Sequence, residues 1–302
     1  MSANASSDVS RYRGRFAPSP TGPLHFGSLV AAAGSYLQAR SSSGDWLVRM
    51  EDLDTPRNAP GAADGILRDL ERFALRWDEA VVYQSHRLDV YADALDRLRR
   101  EALVYDCGCS RRDLEDGVYP GTCRAGVAEG RRARSVRVLT CDQPVSLEDR
   151  VQGNLAQNLQ STCGDFVLHR ADGIFAYHLA VTVDDALQCM SEIVRGADLL
   201  DSTPRQIHLQ RCLRLPTPAY AHLPVAVNGD GQKLSKQTFA RPVRERDPGE
   251  VLFEVLEFLG QSPAPVLRGA APDEVLAWGV AHWRLDAVPR RGTIRYRQGA
   301  SG

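Results

Sequence analysis

Arg15-Phe16-Ala17-Pro18-Ser19-Pro20-Thr21-Gly22-Pro23-Leu24-His25-Phe26-Gly27-Ser28 decides how this chain folds. Residues 14–18 are short and partly apolar, breakers follow at Pro20, Gly22 and Pro23, and residues 27–40 are rich in Ala and Leu. That order reads as a strand, a tight loop and a helix N-terminus. Small residues let a ligand approach the backbone, and the positive end of the helix attracts phosphate. His25 stands at the turn, where its ring can cap the helix or donate to a phosphate oxygen.

The same alternation continues outward. Residues 45–51 read as a strand, and residues 60–77 as an amphipathic helix with Ile66, Leu67, Leu70 and Phe73 on one side and Asn58 near its start. Residues 80–84 are strand-like, and residues 87–101 place Leu88, Tyr91, Leu95 and Leu98 at helical spacing. Alternating strands and helices imply an α/β fold, a doubly wound parallel sheet whose ligands lie beyond the carboxyl ends of its strands. Residues 18–28 are then the expected nucleotide corner. From Leu103 the pattern changes to cysteines, arginines and short strands, as in an inserted module. The alternation resumes at Glu192-Ile193-Val194-Arg195, with a helix from about Ser202-Thr203-Pro204 and a strand at 225–227. The expected division is a loose tail (1–12), the first half of a Rossmann-type catalytic domain (13–105), an inserted module (106–190), the second half (191–240) and a small helical C-terminal part (241–302).

Lysine occurs twice in 302 residues, at Lys233 and Lys236, within Gln232-Lys233-Leu234-Ser235-Lys236-Gln237. All other cations among the 37 Lys and Arg are arginines. A compact ammonium on a flexible stem is suited to following phosphate charge, so the pair reads as a phosphate-handling loop after the Asn228-Gly229-Asp230-Gly231 turn. Composition sets the outer bounds: 43% hydrophobic and 25% charged residues make a globular chain of roughly two domains. The net charge of -1 gives no global sign of nucleic acid. No apolar run approaches the ~20 residues of a membrane span, and residues 1–10 lack the apolar core of a signal peptide. A cytoplasmic protein with no membrane association is expected.

Seven cysteines at uneven spacing suit reduced thiols better than a disulfide framework. Cys107, Cys109 and Cys123 fall within seventeen positions of a Gly/Pro-containing stretch, which suits tetrahedral zinc with one further ligand. Tyr119, Asp106 and water are the candidates for that fourth place. Residues 111–137 hold seven arginines, Arg111, Arg112, Arg124, Arg131, Arg132, Arg134 and Arg137, against four acids, a candidate patch for an RNA backbone or a solvated face. Arg290, Arg291, Arg295 and Arg297 offer a second patch.

The two separated segments, His25-Phe26-Gly27-Ser28 and Lys233-Leu234-Ser235-Lys236-Gln237, together resemble the paired signatures of class I aminoacyl-tRNA synthetases, and residues 15–22 are similar to the glutamyl and glutaminyl branch. The resemblance implies that ATP, with Mg²⁺, is held by His25, Gly27, Ser28, Lys233, Ser235 and Lys236, with His25 and Lys236 catalytic. It implies that L-glutamate is held by Arg15, Phe16, Ala17, Pro18, Ser19, Glu51, Tyr177 and Arg195. A carboxylate such as Glu51 suits an α-ammonium and an Arg fork suits a carboxylate. Leu234 stands for the usual Met and Gln237 for the usual final Ser.

The sequence ends at Gly302, 65 residues after Gln237, where synthetases charging tRNA with glutamate or glutamine continue into a large anticodon-binding domain. With Phe26-Gly27-Ser28 and the Cys-x-Cys, Tyr, Cys set, the chain resembles the glutamyl-queuosine tRNA(Asp) synthetase family over residues 13–241. That family's zinc module selects Tyr119 as the fourth ligand of one structural zinc. The implied activity is tRNA-independent formation of glutamyl-adenylate, then transfer of glutamate to the queuosine base at the wobble position of tRNA(Asp), by a monomer. The alternatives are a truncated glutamyl-tRNA synthetase charging a tRNA 3′ end and a catalytically silent paralogue that binds RNA or an amino acid.

Overall fold

The structure, a computed structural model, describes residues 11–114, 117–234 and 242–296. In chain order the elements are β1 (Arg13–Phe16), α1 (Phe26–Ser41), β2 (Asp45–Met50), α2 (Ala62–Arg72), β3 (Val82–Tyr83), α3 (Leu88–Arg100), β4 (Val104–Cys107), β5 (Ser135–Val138), β6 (Val145–Asp149), β7 (Gly153–Gln157), α4 (Leu159–Thr162), β8 (Val167–His169), α5 (Tyr177–Leu187), β9 (Glu192–Gly196), α6 (Thr203–Cys212), β10 (Ala219–Leu223), β11 (Val225–Val227), α7 (Pro248–Phe258), α8 (Pro272–His282) and β12 (Thr293–Arg295).

β1 runs parallel to β2, with Arg13 opposite Asp45 and Phe16 opposite Val48, and β2 runs parallel to β3. β9 and β10 are likewise parallel, β10 meets β6 at Tyr220, and β6 and β7 form an antiparallel hairpin. The two sheets meet where the Ser191 N–H donates to the Arg13 carbonyl at 3.0 Å and the Arg13 N–H donates to Ser191 Oγ at 2.8 Å. β1 and β9 therefore start side by side and give the spatial order β3-β2-β1-β9-β10-β6-β7. From β1 the chain moves one way to β2 and β3, then returns on the other side for β9 and β10. Such a switch opens a crevice beyond the carboxyl ends of β1 and β9.

Alternation along the strands separates the two faces. Every residue of β2 is buried, as in a strand covered on both sides. Trp46, Val48 and Met50 pack with Leu29 and Leu37 of α1, Leu70 of α2, Leu256 of α7 and Val275 of α8. Leu47 packs on the other face with Leu95 of α3, Val183 of α5 and Ile207 of α6. β9 does the same, Val194 facing the α1 side and Ile193 the α5/α6 side. β4, β5 and β8 form a separate antiparallel sheet.

The sequence expectation matches the strands and helices of the first half with shifted ends. Asn58 does not cap α2: its Nδ2 donates to the Asp52 carbonyl at 2.7 Å, and the helix starts after Gly61 at φ 70°. Helix α5 is unanticipated from sequence, because Val181-Thr182-Val183 is β-branched and tertiary burial overrides its weak helix propensity. The C-terminal part is more than a helical appendage. α7 and α8 belong to the α1-side core, and β12 pairs in parallel with β11.

Candidate active site

A cleft of about 550 Å³ lies beyond the carboxyl ends of β1, β2 and β9. Its walls bring together Arg15, Phe16, Ala17, Ser19, His25, Gly27, Ser28, Glu51, Tyr177, Arg195 and Lys233, which sequence reading had drawn from five separate segments. Pro18 is not in the wall; its carbonyl accepts the Glu51 N–H at 2.9 Å and ties the first loop to the end of β2.

The nucleotide corner is built on the start of α1. His25 is the N-cap, in extended backbone, and its Nδ1 accepts the Ser28 N–H at 3.2 Å while Nε2 lies 3.0 Å from Ser28 Oγ. Since Nδ1 accepts a backbone N–H, the neutral ring carries its hydrogen on Nε2. The backbone cap and the contact with Ser28 Oγ thus fall on different nitrogens. A side chain at position 27 would stand 3.3 Å from the His25 ring, which is the local reason for glycine. The same point is 3.6 Å from the Leu234 carbonyl, so the second signature approaches the first through backbone. The Leu234 N–H donates to the Ala226 carbonyl at 2.9 Å, and Lys233 Nζ contacts Asp198 Oδ2 at 2.5 Å. Ser235, Lys236 and Gln237 lie outside the described residues.

Arg15, Arg49, Glu51, Arg195 and His222 share the α5/α6 side of the sheet, since Phe16, Met50, Val194 and Leu223, their chain neighbours, belong to the α1-side core. Arg15 is buried and forks onto Asp185 of α5, Nε to Oδ1 at 3.0 Å and Nη2 to Oδ2 at 3.3 Å. Arg49 Nη2 reaches Asp185 at 2.8 Å and Glu51 at 3.3 Å. Asp184 is consumed behind them by Arg87, Gln84 and Tyr91 at 2.7 to 2.8 Å. Burial pushes the Glu51 carboxyl above its ordinary pKa, against the pull of Arg49 and Arg15. Burial likewise raises the Tyr177 phenol.

Arg195 is different. It is 4% exposed, and its partners are His222 Nε2 at 3.0 Å and, from Nη2, Thr203 Oγ1 and Gln206 Oε1 at 2.8 Å each. None carries a negative charge, and Nη1 is buried with no hydrogen-bond partner. A buried guanidinium without an anion is costly unless a ligand brings one.

Sequence reading missed Arg49, Asp149, Asp184, Asp185 and His222. The adjacent acids in Val181-Thr182-Val183-Asp184-Asp185 were a usable signal, because carboxylates inside an apolar run must be paired.

Away from the cleft, the sulfurs of Cys107, Cys109 and Cys123 are buried within 4.8 Å of one another. The Tyr119 oxygen joins them, 3.3 Å from Cys107 Sγ, and accepts the Cys123 N–H at 2.9 Å. Cys109 and Cys123 sulfurs are 3.6 Å apart, close to the edge of a tetrahedron with ~2.3 Å metal–sulfur bonds. Burial raises the Cys107 thiol, but Tyr119, the Cys109 N–H and Arg137 outweigh it and bring it down to about 7. Three soft donors and an oxygen at this spacing fit a zinc-type ion. Asp106 is exposed and turned instead toward Arg99 at 3.6 Å.

The basic stretch divides in two. Arg124 forks onto Asp165 at 2.6 and 2.7 Å, Arg131 pairs with Asp113 at 3.1 Å, and Arg137 is buried against Cys107 and the Asp165 carbonyl. Arg112, Arg132 and Arg134 remain exposed, as do Arg290, Arg291 and Arg295, whereas the Arg111 side chain and Arg297 lie outside what is described.

Residues 11–266 match the family model of the class I tRNA synthetase (E and Q) catalytic domain. The chain is 57% identical over 296 residues to a glutamyl-Q tRNA(Asp) synthetase of Dechloromonas aromatica, covering 94% of this chain and 98% of that one. It is 50% identical to one of Pseudomonas aeruginosa, covering 95% and 98%. The crystal structure of a glutamate tRNA ligase from Elizabethkingia meningosepticum, in complex with its amino acid, superposes with a TM-score of 0.80 at 26% identity, over 95% of this chain and 67% of that one. With the Leu234 carbonyl brought against Gly27 at the switch point of the sheet, the chain is a ligase of the class I synthetase type and belongs to the glutamyl-Q tRNA(Asp) synthetase family.

Proposed function

We propose that the cleft forms glutamyl-adenylate from L-glutamate and ATP without tRNA, and passes the glutamyl group to the queuosine base at the wobble position of tRNA(Asp). The observation that carries the amino-acid assignment is Arg195, a buried guanidinium with neutral partners and an unused Nη1 beside the cleft. Arg15 and Arg49 are met by the carboxylates of Asp185 and Glu51, whereas Arg195 has none against it among the described residues, which suits a ligand that brings a carboxylate of its own. The arginines stand on the α5/α6 side and His25 on the α1 side, so amino acid and nucleotide take opposite sides of the cleft. Arg195 then holds the side-chain carboxylate, Glu51 receives the α-ammonium, and the α-carboxylate is left toward the phosphates.

An oxygen of that α-carboxylate attacks the α-phosphorus, the bond to the bridging oxygen of pyrophosphate breaks, and glutamyl-adenylate forms. Positioning and cationic stabilisation supply the rate: the α1 N-terminus, His25 and Lys233 face the phosphates, with Lys236 following the developing charge. Mg²⁺ supplies further charge neutralisation on the phosphates. A cyclopentenediol hydroxyl of queuosine then attacks the acyl carbon, and AMP leaves. Cys107, Cys109, Tyr119 and Cys123 hold one structural zinc that fixes the module of residues 106–190 for tRNA. The names of the relatives support the tRNA step.

Glutamate-dependent ATP/pyrophosphate exchange without tRNA tests the first step; its absence in pure, zinc-replete protein refutes the reading and favours a silent paralogue. The likeness to a glutamate tRNA ligase favours one rival, charging of a tRNA 3′ end. Nuclease digestion of tRNA charged with labelled glutamate separates them, with label on the anticodon nucleoside expected and label on the terminal adenosine overturning the proposal. Periodate is avoided because it also cleaves the queuosine diol.

A further inference from the structure

The partners of Arg195 fix a proton on a residue that lines no part of the cleft. The Arg195 Nε–H donates to His222 Nε2 at 3.0 Å, so that nitrogen is an acceptor and bears no hydrogen. The neutral imidazole then carries its hydrogen on Nδ1, which faces Asp149 Oδ2 at 2.6 Å. His222 is fully buried, and desolvation draws its pKa below the ordinary value although Asp149 pulls it up, which keeps the ring neutral. Asp149 is also buried; burial pushes its carboxyl up, but His222 and the N–H groups of Gln152 and His222 outweigh it and keep it ionised. Its Oδ1 accepts the Val151, Gln152 and His222 N–H groups at 2.8 to 3.1 Å, so its orientation is set by backbone.

We propose that Asp149 and His222 are positioning residues that hold Arg195 in the cleft wall with its Nη1 left unpaired by protein, and thereby set the preference for a side-chain carboxylate over a carboxamide, glutamate over glutamine. The proposal rests on Arg195 taking glutamate's side-chain carboxylate. A direct carboxylate partner would offset the guanidinium's charge, as Asp185 does in part for Arg15. A neutral ring placed between Arg195 and Asp149 fixes the geometry and leaves the charge in need of an anion. A carboxylate can accept two guanidinium hydrogens, whereas a carboxamide turns its own NH₂ donors toward donors. Specificity then comes from an unmet charge and a donor clash together.

Asp149→Asn is the sharp test, because it preserves size. Its Oδ1 can still take the backbone N–H groups, but its NH₂ faces His222 Nδ1 and drives the ring hydrogen to Nε2, against the Arg195 Nε–H. In ATP/pyrophosphate exchange the KM for glutamate should rise about 10- to 100-fold, the loss expected for a hydrogen bond to a charged group. The KM for ATP and kcat should change little, and the glutamate-to-glutamine ratio of kcat/KM should fall by a similar factor. His222→Gln can accept from Arg195 and donate to Asp149, so it should keep most of the discrimination that His222→Leu loses. A packing role alone would lower thermal stability and shift the two KM values together.

Nitrogen-15 NMR of the unmutated protein should show the His222 hydrogen on Nδ1. Finding it on Nε2 overturns the proposal, as does a folded Asp149→Asn with unchanged glutamate KM and ratio. If Asp149→Asn fails to fold, an unchanged ratio in His222→Leu overturns it equally. If the unmutated protein shows no glutamate-dependent exchange, the functional reading fails, while the tautomer still decides the Asp149–His222–Arg195 arrangement.

Discussion

Arg15 and Arg195 are both buried guanidiniums in strand residues of one sheet, and one carboxylate separates their roles. Arg15 shares Asp185 with Arg49, whereas Arg195 has no carboxylate partner among the described residues. Arg195→Lys keeps charge but cannot hold His222, Thr203 and Gln206 with one ammonium, and should cost roughly 100-fold in glutamate kcat/KM. Glu51 supplies a pH signature. Its pKa is raised by burial; if Glu51 receives the α-ammonium as proposed, that cation lowers it again, and binding is coupled to loss of the Glu51 proton at low pH. The glutamate KM should therefore climb as pH falls through the raised pKa and flatten above it. Glu51→Gln should give a high KM without that acid limb, measured by exchange from pH 5 to 8. These side chains were legible in the sequence because each stands beside a motif. Their supports were not, since Asp149, His222 and Asp185 reach them only through the folded sheet.

Among the elements, α5 and the thiol loop show why local pattern ran short. β-branched residues in Val181-Thr182-Val183 argue for strand, and only burial against α3 and α6 makes them helical. The thiol loop is the reverse case, since Cys-x-Cys and the later Cys123 read directly as metal donors. Cys123→Ser should release zinc, seen as a fall from one to near zero equivalents by metal analysis. Tyr119→Phe should do so as well if the phenol oxygen is a ligand, and retained stoichiometry would reduce Tyr119 to the hydrogen bond it makes with the Cys123 N–H. At the other end, Tyr296 stacks on Phe26 at 3.6 Å, and its hydroxyl contacts Glu254 and Arg246. Tyr296→Ala should cost about 2–3 kcal/mol in denaturant unfolding, as for a large, partly buried aromatic.

Taken whole, the molecule was legible in its doubly wound sheet, its switch point and its family, and less so at the C-terminal end. α7 and α8 were recognisable as helices, but nothing in their sequence says that they close the α1-side core, and three residues of β12 are too short for a periodicity. Charge counting likewise overstated the basic module, because three of its seven arginines serve internal contacts. If tRNA docks on the remainder, replacing Arg132 and Arg134 together with Ala should leave tRNA-independent exchange unchanged. Transfer to tRNA should weaken, and the slope of log affinity against log salt should become shallower by about 1–2.

The stack of Tyr296 on Phe26 joins residues from nearly opposite ends of the described chain, and β12 lies on the strand that leads into the Lys233 turn. During synthesis, α1 can form early, but its signature cannot be clamped until residue 296 has emerged from the ribosome. Assembly of the nucleotide corner is therefore timed by translation, and a chain interrupted before that point carries both signatures while lacking the clamp that joins them.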